Sequence, residues 1–197
     1  MQEIKVKVDK KVVLKICNKI AAYVDMSEEQ LEILQYVIQC FVEKTVVFMT
    51  ILLYGYLRNC IAQVIIFYFS CTIIRKHSGG FHMNTFLKCY ITSVLLVLGA
   101  VELNKFLNIE EYFLIILIIN LLSCVLIMKI GCVNNPEMDM TLEEHEYNKA
   151  QTRQIMIIIE IIIIASIFLK FRKPYIALCC QAVICCAFFL VLAKVKE

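Results

Sequence analysis

The chain has 197 residues, of which 61% are hydrophobic and only 19% charged, with a formal net charge of +3. A soluble domain is typically about 45–50% apolar, whereas residues 112–128 carry no charge and residues 155–168 carry one. That composition excludes a water-soluble globular enzyme, and so small a net charge leaves nothing to favour a nucleic-acid binder.

Backbone polar groups in lipid must be bonded internally, so a spanning chain uses helices or a closed barrel. Barrel strands alternate apolar and polar residues, and these runs do not. The expected fold is an all-α, polytopic integral membrane protein of about six membrane helices, or four full spans with shorter or re-entrant segments, preceded by a basic amphipathic helix. Residues 1–40 form the interfacial N-terminal region and 41–197 the transmembrane domain.

In chain order, Gln2, Glu3, Lys5 and Lys7 are followed by no short apolar core with a small-residue cleavage site, so no cleavable signal peptide is expected. Across residues 9–24, Val12, Ile16, Ile20 and Val24 recur at helical spacing, with Lys11, Lys15 and Lys19 on another face. That pattern predicts a helix lying on an anionic membrane surface. Ser27 with Gln30 reads as a capping box opening a helix at about 28, which runs on into a first segment near 41–57. Arg58 and Asn59 break the chain before a second segment at about 60–74. A polar loop at about 75–88 precedes the third segment, 89–104, and the fourth covers 112–130. A second polar loop, 131–153, leads to segments at 154–169 and 175–193.

Cytoplasmic loops are enriched in Lys and Arg. Arg75, Lys76, Lys149, Arg153, Lys194 and Lys196 therefore place the N-terminus and both polar loops in the cytoplasm, with the 170–173 cluster (Lys170, Arg172, Lys173) as the exception. Of the eleven cysteines, Cys40, Cys60, Cys71, Cys124, Cys179, Cys180, Cys185 and Cys186 lie in or beside apolar runs. They read as small packing residues. The doublets at 179–180 and 185–186 lack nearby His, so no metal and no cofactor is expected.

Chemistry concentrates in residues 75–90, R-K-H-S-G-G-F-H-M-N-T-F-L-K-C-Y, which hold two of the three histidines, His77 and His82, followed by Cys89. A cysteine peptidase needs a thiolate and a base that forms it and later protonates the leaving amine. On one continuous helix a seven-residue separation is a rise of about 10 Å, too far for proton transfer. His82 must therefore lie off the helix. Gly79 and Gly80 permit that break, and Asn84 or Thr85 can cap a helix carrying Cys89 in its first turns. The helix start and Lys88 bring positive potential to a thiolate there, and Arg75 and Lys76 could hold an acidic peptide segment.

This run resembles the AgrB family of accessory gene regulator proteins: a basic pair, small residues, a His at His82, and a Cys seven positions on at Cys89. His77 falls at a second, less constant His position. The Pro-containing stretch from Asn134 to Arg153 resembles the family's hydrophilic loop, and Tyr36-Val37-Ile38-Gln39 resembles a weaker motif, from which Val37 departs, ending at Gln39. The resemblance implies a cysteine endopeptidase of the bacterial cell membrane that acts on an AgrD-like precursor peptide at the cytoplasmic side. Cys89 would be the nucleophile and His82 the acid–base. Gln39, Arg75, Lys76, His77 and Lys88 would support the site or hold substrate. Cleavage through a Cys89 thioester would yield a cyclic thiolactone or lactone autoinducer for quorum sensing. The 9–24 segment would gather the precursor at the membrane surface. Glu102 or Glu160 could orient His82 or simply sit at an interface, and a homodimer could form through the Cys-rich face of the last segment. The competing readings are a non-enzymatic transporter or peptide-export partner, and an acyltransferase using the same His and Cys. A thiol oxidoreductase would want a CxxC pair, which is absent.

Overall fold

The computed structural model describes residues 17, 19–20, 27–79, 86–133 and 140–196. Six long helices follow in order: α1 (Glu28–Leu57), α2 (Ile61–Ser78), α3 (Phe86–Phe106), α4 (Ile109–Ile130), α5 (Leu142–Phe168) and α6 (Lys173–Lys196). There is no strand among the described residues. Most of the 9–24 segment lies outside the described residues; Cys17, Lys19 and Ile20 within it are helical.

Five stretches are long and apolar enough to cross a membrane: Ile33–Leu57, Leu87–Phe106, Ile109–Ile130, Leu142–Phe168 and Lys173–Val195. The second segment, α2, is not among them. Its 18 residues include Gln63, Ser70 and Thr72 and end in Arg75, Lys76 and His77. It packs against α1, α3, α5 and α6 through Val64, Phe67, Ile74 and Ser78, while Ile61, Phe69, Thr72 and Ile73 stay exposed. At 1.5 Å per residue it is about 27 Å long, close to the thickness of a bilayer core.

The bundle is apolar outside as well as within, and a few polar side chains lie in its interior. Leu114, Ile118, Leu121 and Leu122 on α4 and Ile157, Ile161 and Ile164 on α5 are exposed, whereas Asn104, Asn120, Ser123, Thr152 and Gln181 are buried. Lipid removes the hydrophobic drive between helices, so association depends on close packing and on polar contacts. α6 supplies the first. Its Ala177, Cys180, Ala182, Cys186 and Ala187 are buried, and α6 contributes to all three buried clusters. The cysteines read as packing residues behave so on α6 and at Cys60 and Cys124. Of the Cys-rich stretch, Cys180 and Cys186 are buried within the chain and Cys179 and Cys185 are half-buried. For polar contacts, Asn120 Nδ2 donates to Glu160 Oε1 at 2.9 Å between α4 and α5.

Local signals explain the ends. Ser27 accepts from the Gln30 N–H and Gln30 Oε1 from the Ser27 N–H, so the expected capping box opens α1. A second box, Thr141 with Glu144, opens α5 inside the stretch read as a polar loop. The helix therefore starts twelve residues before the expected segment at 154, and 142–153 are its polar first turns. At the α1–α2 turn, a Cβ on Gly55 would come within 3.1 Å of the Ile61 backbone, which explains the glycine.

Ala182→Leu should lower the thermal midpoint of the detergent-solubilised protein, costing about 1–3 kcal/mol through overpacking. Ile161→Ala, on the lipid-facing side, should leave the midpoint nearly unchanged. Asn120→Leu should be more destabilising than the double variant Asn120→Leu/Glu160→Leu, because the single change strands a carboxylate without its donor.

Candidate active site

Alternating helix directions sort the ends of the bundle into two groups. One end gathers the C-terminus of α2, the start of α3, the end of α4, the start of α5 and the end of α6. The other holds the turns at 58–60, 107–108 and 169–172. Every candidate site residue except His82 lies among the described residues, and those after Gln39 lie at the first end.

Cys89 is the fourth residue of α3, half-buried beneath the polar end. Two contacts fix its helix against α1. Close to Cys89, the Thr50 and Tyr90 hydroxyls share a hydrogen bond of 3.0 Å. At the far end, Glu102 accepts from the Tyr54 hydroxyl, from Arg58 at 3.3 Å and from Lys105 at 3.0 Å. The Glu102 carboxylate pushes the exposed Arg58 guanidinium further above its usual range. Glu102 lies thirteen residues beyond Cys89 on the same helix, about 20 Å away by helical rise. It therefore braces α3 and is out of reach of the Cys89 thiol. Glu160 is engaged by Asn120.

His77 closes α2 and turns towards α5. Its Nδ1 is 3.0 Å from Asn148 Oδ1, and its ring meets Tyr147 edge-on with centroids 6.5 Å apart. With Nδ1–H donating to that oxygen, Nε2 is the basic nitrogen. Arg75 points instead towards α6, its guanidinium 5.6 Å from the centre of the Phe189 ring. Lys76 and Lys88 are exposed. Gln39, on α1, donates to Glu43 Oε1 at 3.0 Å. His82 lies outside the described residues, as do Asn84, Thr85 and the Asn134–Asn135–Pro136 run.

The last turn of α2 is seated on the 131–133 segment. The Val133 N–H donates to the Ser78 carbonyl at 3.2 Å. Gly79 has φ +70, and a Cβ there would lie 2.9 Å from the Val133 carbonyl oxygen. Only glycine meets both conditions. His145 Nε2 bonds the Cys132 carbonyl at 3.1 Å and so ties α5 to the same segment. Sequence reasoning missed His145 and Asn148. Their signal was the Thr141–Glu144 capping box, since a helix starting there puts His145, Asn148 and Thr152 on one inward face. Among the described residues no group of three His, Cys, Asp or Glu side chains is placed to hold a metal.

The AgrB family model, described as accessory gene regulator B, matches residues 13–191. The chain belongs to the AgrB family. Two relatives come from Clostridium perfringens. "Putative AgrB-like protein 2" of strain 13 is 23% identical over 166 residues, covering 81% of this chain and 78% of that protein. "Putative AgrB-like protein" of strain SM101 is 24% identical over 163 residues, covering 80% and 76%. No solved structure matches the chain at a significant level. Family membership places the protein in pheromone processing for agr quorum sensing, with an AgrD-type precursor as the associated peptide.

N-ethylmaleimide labelling in detergent with peptide mass mapping should modify Cys89 before the buried Cys60, Cys124, Cys180 and Cys186. Equal rates across the five would mean that the start of α3 is enclosed.

Proposed function

We propose that this AgrB-family protein is a membrane-embedded cysteine endopeptidase that removes the C-terminal tail of an AgrD-like precursor and transfers the acyl group within the peptide. The observation that carries this reading is the position of Cys89: a half-buried thiol in the first turn of α3, at the polar end of the bundle, in a chain that matches the family over 13–191. The role of His82 rests on its place in the resemblance, seven residues before Cys89.

In this mechanism His82 accepts the Cys89 proton and the sulfur attacks the carbonyl at the end of the future pheromone. The tetrahedral adduct collapses to a thioester as the C–N bond breaks, and His82 donates the proton to the departing amine. Water would hydrolyse the thioester to an acid. A Cys thiol within the bound peptide instead exchanges one thioester for another at little free-energy cost, closing a thiolactone and releasing Cys89. A Ser would close a lactone. Restricted water at a membrane-edge site and the proximity of the internal thiol favour ring closure.

The exposed Lys76 and Lys88 are suited to an acidic segment of the substrate, whereas Arg75 and His77 are committed to Phe189 and Asn148 and shape the end of α2. Gln39, held by Glu43, is assigned to substrate support on α1. The polar end faces the cytoplasm in this reading, by the bias of Lys and Arg there. The competing reading, an export partner without catalysis, draws on Glu160, an ionisable group in an otherwise apolar stretch of α5.

Mass spectrometry of the precursor co-expressed with wild type, Cys89→Ser and His82→Ala tests the assignment. Truncated or ring-closed peptide should appear with wild type, and both variants should reduce it at least about a hundredfold, the scale of a lost acid–base group or nucleophile. Intact precursor with all three proteins, each folded in the membrane, would turn the reading to export.

A further inference from the structure

The end of the bundle remote from Cys89 carries a second basic cluster that the peptidase reading does not use. At the α5–α6 turn, Lys170, Phe171, Arg172 and Tyr175 line an open recess of about 420 Å³. The turn is closed by backbone bonds: the Lys170 N–H donates to the Ile167 carbonyl at 3.0 Å and the Phe171 N–H to the Ser166 carbonyl at 2.9 Å. Lys170 occupies the left-handed position of this turn, with φ 53. Glycine usually serves there. A lysine accepts a conformational cost and in exchange sets a cation at the tip. Lys173 is engaged differently, its ammonium 5.9 Å from the centre of the Phe113 ring. Neither Lys170 nor Arg172 has an acidic partner among the described residues.

The location adds a second argument. Both ends of the bundle carry cations, among them Arg75, Lys76, Lys149 and Arg153 at one, and at the other Lys170, Arg172 and Lys173, with Arg58 and Lys105 there paired to Glu102 and with Glu110 and Glu111 at the start of α4. Whichever end faces the cytoplasm, one cluster stands against the Lys/Arg bias that orients membrane proteins and needs a local reason. The turn also joins two membrane-length helices, so it lies at a hydrocarbon boundary. Phe168, Leu169 and Phe171 are exposed beside the cations. Apolar and aromatic side chains next to unpaired cations match the layers of a phospholipid, with acyl chain and glycerol below the phosphate.

We propose that the Lys170–Arg172 turn binds the phosphate of an anionic phospholipid. Arg172 presents a planar fork suited to two phosphate oxygens, and Lys170 adds a point charge. Phe171 and Tyr175 pack against the glycerol region. A zwitterionic headgroup brings its own cation towards Lys170 and Arg172, and an anionic one does not; that difference is the source of selectivity.

Native mass spectrometry of the detergent-purified full chain, offered equal amounts of phosphatidylglycerol and phosphatidylcholine, tests the site. Wild type should retain phosphatidylglycerol about thirtyfold more than phosphatidylcholine, as expected for two nearby cations. Lys170→Gln/Arg172→Gln should lose that preference with helicity by circular dichroism unchanged, and Lys173→Gln should keep it. Equal retention of the two lipids by wild type would overturn the proposal, as would an unaltered preference in the double variant. Displacement of the lipid by millimolar inorganic phosphate would overturn the lipid assignment in favour of a free-anion site.

Discussion

Close packing around α6, which small residues allow on more than one side, is the constraint on which the rest of the bundle depends. In lipid, helices gain nothing by hiding leucines from a solvent that is already apolar, so contact must come from surfaces that let backbones approach. Ala177, Cys180, Ala182, Cys186 and Ala187 provide such a surface, and the three buried clusters all draw on α6. One cluster joins it to α1, α2 and α3. The other two join it to α4 and α5, one of them also through α2. The helix this packing encloses is α6 itself, while α2 buries only Val64, Phe67, Ile74 and Ser78 against its neighbours.

The candidate site sits where these two halves meet. α3, which carries Cys89, is braced on α1 at both ends, by Thr50 with Tyr90 and by Glu102 with Tyr54 and Arg58. The end of α2 is tied to the other half, through His77 with Asn148 and Ser78 with Val133. The chain between Gly79 and Phe86 links two supports of different origin. Cys89 therefore takes its place from α1, while the end of α2 takes its place from α5 and the 131–133 segment. A motif that is continuous in sequence is supported by elements up to 71 residues away.

Polar groups divide between the ends in a way that matches separate tasks. At the Cys89 end, imidazoles, amides and carbonyls hold loops and helix ends in register. At the opposite end, Glu102 ties α3 to α1, while Lys170 and Arg172 remain turned outward from the α5–α6 turn. Within the bundle, Asn120 and Glu160 form a polar contact between α4 and α5, where an unmatched carboxylate would be costly.

Much of the fold was determined by sequence alone. Apolar runs too long and too uniform for a soluble core dictated helices in a membrane, because no other open structure bonds its backbone internally there. The Ser27–Gln30 capping box marked the start of α1, since a cap is a local hydrogen-bond pattern needing no distant partner. The residues of the candidate site were named from a contiguous motif, and Cys89 stands at a helix start as that motif expects. Tertiary structure alone decided that α6 is the enclosed helix, that Cys180 and Cys186 pack within the chain, that the polar stretch after 141 begins α5, and that His77 answers to Asn148. Each of these depends on what packs beside a residue. Hydropathy along one helix records its need for cover, but whether lipid or another helix supplies that cover is settled only when all six are in place.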